Sequence, residues 1–95
     1  MRVSVLEPWK ALYEGNVEEV ILPGDDGELC VLDFHHPFLH RLRRGVIRMK
    51  RRDGPAAPIR VAIVDGVARM SGNELVLLVE TAGRRRRAGR EASQP

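Results

Sequence analysis

Ninety-five residues, 43% hydrophobic with only four aromatics, are enough for one domain with a modest, aliphatic core. No apolar run approaches the roughly 20 residues of a membrane-spanning helix, the N-terminus lacks the apolar stretch of a signal peptide, and one cysteine, which fits a reducing cytoplasm, excludes an internal disulfide. The net charge of +3 hides a separation of sign: residues 1–33 carry two basic and eight acidic side chains, residues 34–52 seven basic and none acidic, and residues 84–95 five arginines and one glutamate.

That asymmetry points to a polar protein partner met at two distinct patches, or, as scattered charges more often are, to a solvated surface without a role. In chain order, residues 9–20 read as a strand broken at Gly15-Asn16, a turn pair. The apolar run Val20-Ile21-Leu22 is ended by Pro23-Gly24, since proline has no N–H to give a ladder. Asp25-Asp26-Gly27 completes a polar turn. A second run follows, Leu29-Cys30-Val31-Leu32, with Cys30 read as a small buried core residue. Phe34-His35-His36-Pro37 forms a histidine-rich loop, and a basic segment runs on to Gly45.

Residues 46–50 alternate, with Ile47 and Met49 on one face and Arg48 and Lys50 on the other. Residues 51–55 form a turn and loop. Residues 59–64 read as a β-branched strand, Asp65-Gly66 as a hairpin turn, 67–71 as the return, Gly72-Asn73 as another hairpin turn and 74–79 as the last strand. Residues 75–79 are apolar on both faces, which marks an inner strand or an outer face that meets something. No segment keeps a 3.6-residue apolar period for ten residues. Short strands separated by Gly, Asp and Asn turns indicate an all-β sandwich or barrel. Residues 1–83 are expected to be the folded domain, and the arginine-rich residues 84–95, with nothing to bury, a disordered basic tail.

The chemistry-bearing residues do not assemble into a motif. His35, His36 and His40 with Cys30 are candidate metal ligands, but His-His-x-x-x-His is not a zinc spacing, and a loop histidine bonded to backbone carbonyls explains them as well. No serine lies in a nucleophile elbow. The glycine-rich turn at 24–27 holds two aspartates and no lysine, so it repels phosphate rather than cradling it. The expectation is a chain that is not an enzyme, with no cofactor and no catalytic or metal site. Arginines 84–87 keep open a second reading, a stand-alone β-sandwich adaptor whose basic tail binds nucleic acid. Against it stand the slightly acidic body and the absence of an aromatic stacking motif.

One stretch carries a family resemblance. LPGDDGEL at 22–29 with Val31-Leu32, then His35-x-Pro37, then Leu42-x-x-Gly45, resembles the epsilon subunit of F-type ATP synthases. Gly15 and Val17 before it, and Gly66 and Asn73 after it, fall at the family spacing. The departures are Cys30 in place of a glycine, Asp33-Phe34 in place of Pro-Gly, and Asp65 in place of the first glycine of a pair. They mark a divergent or variant-class member.

The resemblance implies two five-stranded sheets packed face to face, about ten short strands in all. It implies a non-catalytic rotor subunit that binds the gamma subunit, sits on the c-ring and passes torque between ion translocation and ATP synthesis or hydrolysis. Its place would be peripheral, at the cytoplasmic face of the inner (plasma) membrane. By position, Asp25, Asp26 and Glu28 would face the c-ring. The loop carrying His35, His40, Arg41, Arg43 and Arg44 would face gamma, whose contacting surface is then expected to be acidic. The family continues into a C-terminal helical hairpin that residues 84–95 do not resemble, so a subunit that neither latches rotation nor binds ATP is expected.

Overall fold

β-Branched and leucine-rich stretches alternate with Gly, Asp and Asn along this chain, and they fold as strands. The computed structural model describes residues 1–82. It contains β1 (Arg2–Glu7), β2 (Lys10–Gly24), β3 (Gly27–Leu32), β4 (Phe38–Arg51), β5 (Ile59–Ser71) and β6 (Glu74–Glu80). The strand order is β1-β6-β5-β4-β2-β3, and β1 also pairs with β2, so five strands close into a barrel-like ring with β3 attached to β2. All pairings are antiparallel except β1 with β6.

The all-β expectation holds, but among the described residues there are six strands and not ten short ones, of which β2, β4 and β5 run 15, 14 and 13 residues. The reason is that two expected turns are not turns. Gly15-Asn16 lies inside β2, paired with Val3 and Arg2 of β1. Beyond it the same strand pairs with β4 from Val17 and with β3 from Glu19. Asp65-Gly66 lies inside β5, opposite Arg43 and Leu42 of β4.

Here the buried face changes phase. Leu42 of β4 and Ala68 and Met70 of β5 face inward on one side of the corner, and Ile47, Met49 and Ile63 on the other. Strands that pass from one wall of a sandwich to the other do so through such bends. Gly66 is what permits the corner. A Cβ there would stand 2.9 Å from the Leu78 carbonyl oxygen and 3.2 Å from Val79 Cγ1. The Gly72-Asn73 hairpin does form: Ser71 and Glu74 pair across it, and both turn residues have positive φ, 58° and 57°. That is the two-residue turn whose twist matches a strand pair.

The core is aliphatic, as composition requires. Its fully buried side chains include Val3, Val5, Val20, Leu22, Leu42, Ile47, Met49, Leu75 and Leu77, and Tyr13 and Phe38 only flank it. β6 is an inner strand, flanked by β1 and β5, and it also keeps an apolar outer face. Leu77 is fully buried, whereas Leu78 is 55% exposed and lines, with Leu6, Pro8 and Val67, a groove of about 450 Å3. Cys30 departs from expectation. It points outward on β3, between Leu29 and the buried Val31. Partial burial and the neighbouring Glu19, 3.6 Å from its Sγ, push the thiol pKa up, which makes it a poor nucleophile.

The seam between β1 and β3 is closed by charge. Both strands lie along the same edge of β2, and Met1 fills the gap through two backbone bonds to Val17, 2.9 and 3.0 Å long. The Met1 ammonium and the Arg52 guanidinium both bind Asp33. The ammonium, and after it Arg52, hold the Asp33 carboxyl below the ordinary aspartate range. A depressed carboxylate contributes stability that is complete above the unfolded pKa of about 3.9 and is lost as pH falls through the folded value. Asp33→Asn is thus expected to lower the melting temperature at neutral pH, with the gap to the parent closing below about pH 4. A gap that does not narrow as the pH falls would show that the charge of Asp33 is not its source.

Candidate functional site

Asp25 and Asp26 form the two-residue loop between Gly24 and Gly27, which face each other as ladder partners at the ends of β2 and β3. Both aspartates are exposed. Glu28 follows at the start of β3, opposite Pro23, and accepts a 2.8 Å bond from Arg48 across the sheet face. Its side chain is 68% exposed, so the pair is a surface one of little worth to stability.

His35 stays in the loop before β4. Its Nδ1 lies 3.0 Å from the His36 carbonyl oxygen. Its ring stands edge-on to Phe38, centroids 5.2 Å apart, and Phe38 in turn meets His40 at 5.6 Å. Among the described residues no cluster of three or more His, Cys, Asp or Glu side chains could hold a metal.

The remaining residues lie on a strand, not on the expected loop, because β4 begins at Phe38. Alternation along that strand divides them. His40 is half-buried on the inner side beside Phe38, whereas Arg41 and Arg43 project outward with Arg44 beside them. Arg41 reaches Asp65 on β5 at 3.5 Å and remains 67% exposed. The fold thus brings Arg41, Arg43 and Arg44 together and sets His35 and His40 on a separate string of rings.

The acidic and basic patches, separate in sequence, adjoin in space. Gly24 pairs with Leu42, and the Asp25 N–H donates to the Arg41 carbonyl oxygen at 3.2 Å. One continuous surface therefore runs from the acidic turn to the basic strand. Only the pairing of β2 with β4 creates it, and no local sequence signal announces that register.

Comparison with known proteins decides the lineage. Residues 1–85 match the family described as ATP synthase, Delta/Epsilon chain, beta-sandwich domain. This chain belongs to that family. The ATP synthase epsilon chain of Synechococcus sp. (strain PCC 6716) is 37% identical over 84 residues, which is 88% of this chain and 59% of the relative. The epsilon chain 2 of Ralstonia nicotianae is 36% identical over 86 residues, 90% of this chain and 60% of the relative. The chain thus spans about three-fifths of the length of these epsilon-chain relatives.

Among solved structures, a chain of the Euglena gracilis mitochondrial ATP synthase assembly of OSCP, F1 and c-ring shares the fold. Its TM-score is 0.74 at 14% identity, over 81% of this chain and 48% of that one. A chain of the Tetrahymena thermophila mitochondrial ATP synthase central stalk and c-ring gives 0.67 at 13% identity, over 84% and 63%.

Three residues of this epsilon-type domain escaped the sequence reading. Phe34 is 80% exposed and sits at φ 60°, a conformation rare for a bulky side chain. Its N–H donates to Asn73 Oδ1 at 2.7 Å. The departure from Pro-Gly was the available signal: Phe34 occupies a left-handed position that a glycine would adopt without strain. Leu39, 71% exposed, lies on the outward face of β4 two residues from Arg41. Arg48 was assigned only a face, and its bond to Glu28 depends on a long-range register. The basic residues 84–95 lie outside the described residues.

Proposed function

We propose that this chain is a non-catalytic central-stalk subunit of an F-type ATP synthase or ATPase. In this reading it binds the gamma subunit, docks onto the c-ring and couples ion translocation to ATP synthesis or hydrolysis, peripheral to the membrane. The observation that carries the reading is the family match over residues 1–85.

The physical case is consistent with it. A close-packed closed sheet is stiff, which a torque-bearing part requires. The outward arginines Arg41, Arg43 and Arg44 form the surface for gamma, and the separate string of His35, Phe38 and His40 is its second part. The exposed Phe34 and Leu39 add apolar area to it, and buried aromatic anchors carry much of the affinity at protein interfaces. Asp25, Asp26 and Glu28 form the surface for the c-ring, where carboxylates suit basic loops.

Glu28→Lys tests the second surface. The side chain is exposed and its pair with Arg48 is a surface one, so the melting temperature should move little, the change staying within about 0.5 kcal/mol. Docking of the assembled stalk onto the c-ring, read by co-sedimentation with c-ring-containing membranes, should fall. Undiminished docking would remove the acidic turn from the contact.

A further inference from the structure

The outer face where β2, β3, β4 and β5 meet holds a cleft of about 330 Å3. Pro23, Gly24, Gly27, Gly45 and Val46 line it, together with four arginines, Arg43, Arg44, Arg48 and Arg60. Its size is at the lower end of small-molecule sites.

Charge balance in the cleft is one-sided. Glu28 is the one acidic residue lining it, and it is bonded to Arg48. No ion pair among the described residues engages Arg43, Arg44 or Arg60. Asp25 and Asp26, though close in sequence, do not line the cleft. Arg48 and Arg60 are also direct cross-strand partners. Like charges placed opposite each other destabilise a strand pair. Glu28 offsets Arg48 alone, and a sequence that leaves Arg60, Arg43 and Arg44 around it without a carboxylate of their own is what a binding site looks like from the folding side.

The cleft is tight for a structural reason. A Cβ on Gly45 would come within 2.6 Å of Pro23 Cβ, so only glycine lets β4 approach β2 there and leave the arginines around a recess. Guanidinium forks match phosphate oxygens with paired, charge-assisted bonds, and several converging on a concave surface favour an anion with more than one negative charge.

We propose that this cleft is an anion site for a phosphate or diphosphate group, held by Arg43, Arg44, Arg48 and Arg60. Glu28 competes with the ligand for Arg48. The phosphate comes from a lipid headgroup or from a free phosphate compound, and the test separates the two. Arg43, Arg44 and Glu28 also belong to the surfaces proposed for gamma and the c-ring, whereas Arg60 belongs to neither, so the test is built on Arg60 in the isolated chain.

The experiment is a titration of the full isolated chain with inorganic pyrophosphate, followed by amide and arginine side-chain NMR shifts. The shifts should centre on Gly24, Gly45 and Val46. Arg60→Gln, an exposed substitution whose fold is confirmed by the rest of the spectrum, should weaken binding about tenfold. Glu28→Gln should tighten it by up to about fivefold, because it frees Arg48 and removes the competing charge.

A control variant with Arg84, Arg85, Arg86 and Arg87 all changed to Gln should keep the shifts in the cleft. In parallel, vesicles with and without phosphatidate identify the source. Binding that needs phosphatidate, falls with Arg60→Gln and is displaced by pyrophosphate assigns a lipid headgroup. Pyrophosphate binding without vesicle binding assigns a free phosphate. The proposal is overturned if pyrophosphate shifts nothing in the cleft, if the tail variant abolishes binding while Arg60→Gln does not, or if an acidic peptide occupies the cleft and pyrophosphate cannot.

Discussion

Leu77→Ala is expected to destabilise the domain by about 2–5 kcal/mol, whereas Leu78→Ala, one residue on, should change stability by no more than about 0.5 kcal/mol. Leu77 is fully buried in the middle of β6, paired with Val5 of β1 and Ala68 of β5. Truncating it removes apolar contacts from both neighbours at once and leaves a cavity that a closed sheet cannot collapse around. Against a domain stability of about 5–15 kcal/mol, such a loss brings the folded state close to its limit. Leu78 points the other way and is 55% exposed. Chemical denaturation of both variants checks this directly. Equal losses at the two positions would mean that the inward phase of β6 has been assigned wrongly, or that its outer face is covered in solution.

Those two leucines show what the sequence could and could not convey. The run Leu75-Val76-Leu77-Leu78-Val79 is apolar at every position, so alternation gives no phase, and only the pairing to β1 and β5 sets it. Ile47 and Met49 were legible because Arg48 and Lys50 intervene. The Gly72-Asn73 hairpin was legible because two adjacent positive-φ positions need those residue types. The same rule misled at Asp65-Gly66. There glycine serves a close approach to the Leu78 carbonyl at a bend, and a bend inside a long strand has the same local signature as a turn between two short ones.

At the candidate site, residue identity and exposure of Asp25, Asp26 and Glu28 followed from the polar turn. The adjacency of that turn to Arg41 did not, since it depends on a contact between residues 16 positions apart, made by the Asp25 N–H and the Arg41 carbonyl. Cys30 was misread because its neighbours are apolar. In a strand whose Val31 faces the core, the residue before it must face out.

Reversing Arg41 and Arg43 to glutamate should lower affinity for the gamma subunit at least about tenfold, because facing like charges across an interface costs several kcal/mol. The fold should survive. Arg43 makes no ion pair among the described residues, and the Arg41–Asp65 pair is long and exposed, at 3.5 Å and 67%. The parent's affinity should fall with added salt over the range where the Debye length drops below about 10 Å, and the double variant should show a flatter dependence. Matching affinities at low salt would exclude this arginine face from the contact and leave the string formed by His35, Phe38 and His40 as the remaining candidate.

The most direct measurement is hydrogen–deuterium exchange on the full chain, alone and mixed with an F-type ATP synthase gamma subunit encoded in the same genome. The proposed contact predicts slowed exchange in the loop at residues 33–37 and along residues 38–44 of β4, with residues 54–58 of the loop between β4 and β5 unchanged. No complex, or protection that spares residues 33–44 and appears at 54–58 instead, would contradict the assignment of this chain as a gamma-binding stalk subunit through that surface.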